Sequence, residues 1–282
     1  MSEIKIYALN EKQADSARVM TVPEVCDALK KGLPVAAFAA VTEDRVIGTV
    51  AGAVSGVSED IFEIHSIFVD PEYRRQGAGT ALIEKVSEYT DDMGLGLKAE
   101  YTLVSEDERT LEPFFEALCF TEDPVEYPMY CIGRLGGLNI NVRASQGMYK
   151  GITSFLETPE RMLSAANTRS IRAGWPLPDG GLMSDRMDRD LSFCSVAGDR
   201  IRAYIAVEPI SEEMIRIPAL WSELNDPREM MVMLARTIER LKRRYEWDTR
   251  IAMLALNPVS YKIIEHVCEE AEPCSFRFIR KF

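Results

Sequence analysis

Asp70-Pro71-Glu72-Tyr73-Arg74-Arg75-Gln76-Gly77-Ala78-Gly79-Thr80 follows directly on the apolar run Ile64 to Val69. The run reads as a strand. The loop tightens on Gly77 and Gly79, and helical spacing begins at Thr80 with Leu82, Val86, Tyr89 and Met93. A strand, a glycine loop and a helix N-terminus in this order gather several free backbone N–H groups around one point, and such a point binds phosphate. Two familiar phosphate fingerprints fail on spacing. No Lys-Ser or Lys-Thr closes a GxxxxGK[ST] loop, and the third glycine of a dinucleotide fingerprint would fall on Leu82.

Upstream, Ile4 to Leu9 reads as a strand, and Asn10 with Gln13 starts a helix that runs to about Met20. A second short helix is expected near Val22 to Lys31. Val35 to Val41 and Val46 to Val54 form a hairpin across Thr42-Glu43-Asp44-Arg45. Downstream, Gly94 and Gly96 end the glycine-loop helix. Leu97 to Val104 is a strand, Glu112 to Leu118 a short helix and Tyr127 to Ile132 a last strand, and Gly133, Gly136 and Gly137 then mark a boundary. The expected order is β-α-α-β-β-β-α-β-α-β.

The second half reads as a helix over Thr153 to Arg172, a hairpin of Leu191 to Val196 with Arg200 to Val207, and a strand from Met214 to Leu220. Asp226-Pro227-Arg228-Glu229 supplies a cap, a first-turn proline and an acid for the next helix. Its face carries Met230, Leu234, Ile238, Leu241 and Tyr245. Arg250 to Leu256, Val259 to Cys268 and Ser275 to Ile279 follow as strand, helix and strand. The element order repeats that of the first half with little identity, so the chain reads as two copies of one fold, residues 1–135 and 136–282.

The 282 residues suit two domains, and 28% charged residues are ordinary for a globular protein. A net charge of −12 argues against nucleic acid and is compatible with a cationic substrate. The longest apolar run, Leu33 to Val41, is far short of the ~20 residues of a membrane span. The N-terminus lacks a basic-then-apolar signal pattern. Cys26, Cys119, Cys131, Cys194, Cys268 and Cys274 form no CxxC, and with two histidines there is no metal-ligand spacing, so reduced thiols in a cytoplasmic protein are expected.

Residues 1–135 resemble the GNAT superfamily of acetyl-CoA-dependent N-acetyltransferases. Ile67-Phe68-Val69-Asp70-Pro71 and Arg74-Arg75-Gln76-Gly77-Ala78-Gly79 stand where the family has Val-x-Pro and [RQ]-x-x-G-x-[GA], and Phe114 to Phe120 stands where a short helix ends in Gly-Phe. The second half resembles the family in element order alone, as a degenerate copy in a tandem arrangement. The implied fold is α/β (α+β): two GNAT-like domains, each a mixed, mostly antiparallel twisted sheet flanked by helices.

The resemblance implies that acetyl-CoA is co-substrate, with no metal, no nucleic acid and no membrane, and that a primary amine is acceptor. A homodimer is compatible with it. The pyrophosphate would lie on Arg74, Arg75, Gln76, Gly77, Ala78, Gly79 and Thr80, and the pantetheine arm along Ile67, Phe68 and Val69 as an added strand. Glu63 stands where several members carry the general base. Strand alternation puts it on one face with His65, Ile67 and Val69. His65 is the competing base, because histidine as a residue type titrates near neutrality.

Phe115 departs from the pattern, since many members have a tyrosine there as general acid. Tyr127, Tyr130 or another residue takes the role, or the thiolate leaves unaided, or the chain is a non-catalytic acyl-CoA sensor. Cys119 replaces a common glycine. In the second half Trp221-Ser222-Glu223-Leu224-Asn225-Asp226-Pro227 has no glycine pair, and its two acids would repel phosphate.

Overall fold

The computed structural model describes residues 3–13, 20–21, 23–43, 45–56, 58–103, 111–140, 151–175, 177 and 180–281. The strands are β1 (Lys5–Ala8), β2 (Ala36–Thr42), β3 (Arg45–Val54), β4 (Ile61–Val69), β5 (Gly96–Thr102), β6 (Thr121–Glu122), β7 (Met129–Arg134), β8 (Ile152–Ser154), β9 (Phe193–Ala197), β10 (Arg200–Pro209), β11 (Met214–Ser222), β12 (Arg250–Leu254), β13 (Glu272–Pro273) and β14 (Ser275–Arg280). The helices are α1 (Pro23–Lys30), α2 (Ala78–Asp91), α3 (Leu111–Ala117), α4 (Glu160–Arg172), α5 (Pro227–Leu241) and α6 (Pro258–Val267). The helix expected between Asn10 and Met20 falls largely outside the described residues. At its start Gln13 Oε1 accepts from Asn10 N–H, at 3.3 Å, as the spacing of the pair requires.

Two seven-stranded sheets result, ordered β1-β2-β3-β4-β5-β14-β6 and β13-β7-β12-β11-β10-β9-β8. The repeat is real: β1 to β6 and β8 to β13 follow the same plan, with one parallel pair in each, β4 with β5 and β11 with β12. The boundary expected at 135/136 is corrected. The last strand of each copy is exchanged. β7 pairs with β12 and β13, and β14 lies between β5 and β6. The chain accordingly divides into one unit of Met1–Tyr101, Ser105–Pro124 and Phe276–Phe282 and another of Thr102–Val104 and Val125–Ser275. A second correction concerns Thr153, expected in a helix. It lies in β8, paired with Cys194, and α4 begins only after Pro159.

In the first unit α2 covers one face of the sheet. Leu82, Ile83 and Val86 pack with Ile47, Val50, Phe62, Ile64, Leu97, Phe115 and Phe278. The helical stripe drifts from the expected one. Thr90 is buried, whereas Tyr89 and Met93 are exposed. Among the described residues the opposite face carries a small cluster, Val25 and Leu29 of α1 on Ala37 and Ala51. In the second unit both faces are filled. Helices α5 and α6 cover one, and α4 with Trp175, Leu182 and Met187 closes the other over Tyr204, Ala206 and Ala219. Among the described residues no helix is long and apolar enough to cross a membrane.

Candidate active site

Strand β4 runs against β3 along its whole length, from Val54↔Phe62 to Gly48↔Val69. Its pairing with β5 covers only Ile61↔Gly96 to Ile64↔Ala99, although β5 continues to Thr102. From Ser66 to Val69 the outer edge of β4 therefore has no neighbouring strand among the described residues, and its backbone is available to an extended ligand. A register shift sits where the two strands part. Gly52 pairs with Ile64 and Ala51 with Ser66, so His65 is an extra residue in β4. Gly52 permits this approach, because a Cβ there would lie 2.2 Å from the Glu63 carbonyl oxygen.

The bulge corrects the expected face of Glu63. Phe62, Ile64, Ile67 and Val69 pack together on the α2 side. Glu63, Ser66 and Phe68 pair with Ala53, Ala51 and Thr49, and Ala51 belongs to the α1 side. Strict alternation misses this, since one inserted residue reverses every side chain beyond it. His65 is exposed at the bulge, and Phe68 is 37% exposed.

Glu63 is tied down. Its Oε1 accepts from Lys98 Nζ and from Ser55 Oγ, each at 2.8 Å. Burial alone would raise its pKa. The hydrogen bonds from Lys98 and Ser55, with the nearby charges of Lys98 and His65, outweigh burial and hold the carboxyl below its ordinary 4.5. The favourable contribution of this group to stability is therefore complete at neutral pH and is lost as the pH falls below 4.5. Sequence reasoning missed Lys98. Its signal was the alternation Leu97-Lys98-Ala99-Glu100-Tyr101, which sends Lys98 and Glu100 to the face of Glu63. On that face Glu100 in turn pairs with Arg277 of β14 at 3.0 Å.

Beyond Val69 the chain makes a 3₁₀ turn, Pro71–Tyr73, capped by Asp70. The Asp70 carboxylate accepts from Glu72 N–H at 3.1 Å and from Arg45 Nη2 at 2.9 Å. Arg74 Nε donates to Val69 O at 3.1 Å, and Gln76 Nε2 donates to Glu72 O at 2.9 Å. These two side chains thus brace the loop. Arg75 takes φ 63° and Gly77 φ 89°. Helix α2 makes its first hydrogen bond from Ala81 N–H to Gly77 O, and the amides from Arg75 to Thr80 have no partner among the described residues. The glycines serve different ends. A Cβ on Gly77 meets nothing within 4 Å, so its requirement is the positive φ and the open approach. A Cβ on Gly79 would lie 3.2 Å from the Phe114 ring, so that glycine lets α3 pack against α2. Ala78 is buried, and Thr80 is half-buried in the first turn of the helix.

Tyr130, a candidate from the first half of the sequence, belongs to the second unit. It lies in β7 opposite Met253, in the second sheet, with its ring 5.6 Å from that of Tyr261. Burial, followed by the neighbouring Tyr261, raises its pKa. The reason is the strand exchange, which no local pattern announces. Phe115 is 2% exposed and packs on Phe114, Phe120, Tyr101 and Phe278.

The second unit repeats the strand parting, since β11 pairs with β12 only from Met214↔Arg250 to Ile217↔Met253. Its helix start is closed by its own chain. The Asp226 carboxylate accepts from Arg228 N–H at 2.9 Å, and Pro227 has no N–H. The position equivalent to Glu63 is Arg216, whose Nε donates to the buried Glu208 at 2.8 Å.

Comparison with known proteins agrees with this geometry. Residues 7–119 match the Acetyltransferase (GNAT) family. An uncharacterized N-acetyltransferase of Methanocaldococcus jannaschii is 35% identical over 92 residues, 31% of this chain and 40% of that protein. The match thus spans well under half of the relative. Among solved structures, a tandem GNAT protein from the clavulanic acid biosynthesis pathway superposes with a TM-score of 0.65 at 11% identity, covering 99% of this chain and 98% of the other. A GCN5-related glucosamine N-acetyltransferase region of a fungal multi-domain β-N-acetylglucosaminidase gives a TM-score of 0.57 at 13% identity, covering 99% of this chain and 38% of that one. The chain thus carries a match to the Acetyltransferase (GNAT) family over residues 7–119, and over its whole length it has the fold of a tandem GNAT protein.

Proposed function

We propose that the first unit binds acetyl-CoA and transfers its acetyl group to a primary amine. The observation that carries this reading is the conjunction of unpartnered amides from Arg75 to Thr80 with the open β4 edge from Ser66 to Val69. One suits a pyrophosphate and the other a pantetheine arm. Bound there, acetyl-CoA supplies an activated thioester. The chain's part is to hold it, to receive the amine on the Glu63 face and to take the amine's proton. Glu63, ionised throughout the neutral range, attracts an ammonium, and the exposed His65 beside it is a second proton acceptor. The second unit, capped by its own Asp226 and filled on both faces, binds no acyl-CoA in this reading.

Titration calorimetry with acetyl-CoA, followed by free-thiol release across amines, polyamines, aminoglycosides and peptides, tests the proposal. Heat of binding and thiol release with at least one amine are expected. Absence of binding refutes it. Glu63→Gln is expected to lower turnover by about 10²-fold while leaving acetyl-CoA affinity unchanged. Normal turnover of that variant from about pH 6 to 9 removes Glu63 from the chemistry.

A second reading, a non-catalytic acyl-CoA sensor, is favoured by one observation. The position of the usual acid is a phenylalanine sealed among other rings. Binding without thiol release from any amine in the panel would select it.

A further inference from the structure

Strand β5 leaves β4 after Ala99, and Tyr101 is the next residue of β5 on the core face that Leu97 and Ala99 occupy. Its ring stacks on Phe115 with centroids 6.1 Å apart and planes 24° apart. It also stacks on Phe276 at 5.7 Å and on Phe278 at 6.1 Å, both from β14. Phe115, Phe120 and Phe278 are buried, whereas Tyr101 is half-buried. In this cluster of Phe114, Phe115, Phe120, Phe276, Phe278 and Tyr101, the Tyr101 hydroxyl is the one polar side-chain group. It is carried by the strand that borders the opening in the sheet.

From this juxtaposition we propose that Tyr101 donates the proton to the departing coenzyme sulfur, the role that Phe115 leaves vacant. The proposal rests on the acetyl-CoA reading above. The amine nitrogen bonds to the acetyl carbon and loses a proton on the Glu63 face. The carbon–sulfur bond breaks with its electron pair on sulfur. Tyr101 Oη gives sulfur its proton and regains one from water, so that amine and thioester become amide and thiol. Tyr101 lies on β5, whereas the usual tyrosine lies on the helix here called α3, so the two reach the sulfur from neighbouring elements of one ring stack.

The test follows the ultraviolet absorbance of the coenzyme thiolate during pH titration of CoA bound to the full chain. A hydroxyl donor favours thiolate. Tyr101→Phe is therefore expected to raise the midpoint of the bound thiol by about one unit, a tenfold change in its ionisation constant. Phe115→Tyr on the Tyr101→Phe background is expected to bring it back, and thiol release from acetyl-CoA should fall and recover in parallel. Recovery by a hydroxyl on the neighbouring ring is an outcome that loss of packing does not produce. CoA that binds with the same midpoint in wild type and Tyr101→Phe overturns this proposal alone. So does a folded, CoA-binding double variant that recovers nothing. Failure of wild type to bind CoA overturns the acetyl-CoA reading, and this proposal with it.

Discussion

A chain ending at Cys274 is expected to lose the fold of its first unit, although it keeps every residue of the first half. Strand β14 fills the place between β5 and β6. Phe278 pairs with Glu122 and Ile279 with Thr121, and the Thr121 hydroxyl donates to Ile279 O across 158 residues of sequence. Phe278 is 1% exposed and stacks on Phe115 at 5.6 Å. Arg277 binds Glu100 at 3.0 Å. Without β14 the facing edges of β5 and β6 are bare, and the ring cluster loses a wall. Truncating Phe278 alone to Ala should cost about 3–5 kcal/mol, against a total stability on the order of 5–15 kcal/mol for a typical domain. Removing the whole strand costs more and is expected to abolish both the cooperative unfolding transition of this unit and acetyl-CoA binding. Denaturant unfolding followed by near-ultraviolet circular dichroism, with calorimetry for the ligand, measures both. A chain of residues 1–274 that unfolds at the wild-type midpoint and still binds acetyl-CoA would show β14 to be dispensable. The same reasoning predicts that residues 1–135 expressed alone do not form this sheet.

The second large effect is expected at Gly77. Its φ of 89° lies in the region that a side chain makes costly, at about 1–2 kcal/mol. A Cβ there points into open space, so Gly77→Ala should fold with a modest loss of stability. Gly77→Glu adds a carboxylate at the mouth of the amide cradle. Two like charges about 4 Å apart repel by about 4 kcal/mol at an effective dielectric of ~20, roughly a thousandfold in affinity. Acetyl-CoA binding should therefore fall below detection while unfolding stays close to that of Gly77→Ala. Gly79→Glu should behave differently. Its side chain meets the Phe114 ring, so stability and binding fall together. Calorimetry and thermal unfolding of the three variants separate the cases. Unchanged affinity in Gly77→Glu would remove the pyrophosphate from this loop.

The glycine loop was legible because its signals are local. Glycines at fixed spacing, a capping Asp70 and an apolar run leading in each act within about ten residues. The self-capped start of α5 was legible for the same reason, since Asp226-Pro227 satisfies its helix end without distant partners. The Glu63 face was less legible. Glu63 was visible as a charge in an apolar strand, but its face was misread because the extra residue at His65 depends on a close approach that Gly52 makes possible on another strand. Its clamp by Lys98 and Ser55 joins three strands. Tyr101 drew no attention because its position means something only once β4 and β5 are known to part at Ala99.

The sequence by itself determined that this chain carries two copies of one fold and that the first copy alone carries the glycine-loop signature. Hydrophobic period, turn chemistry and backbone freedom are properties of neighbouring residues and are written where they act. Only the tertiary structure decided which sheet receives the last strand of each copy. Strands β7 and β14 carry the same kind of short apolar pattern, and either suits either sheet locally. The choice rests on long-range pairing and on the aromatic packing around Phe278 and Tyr101, which exist only when the whole chain has folded.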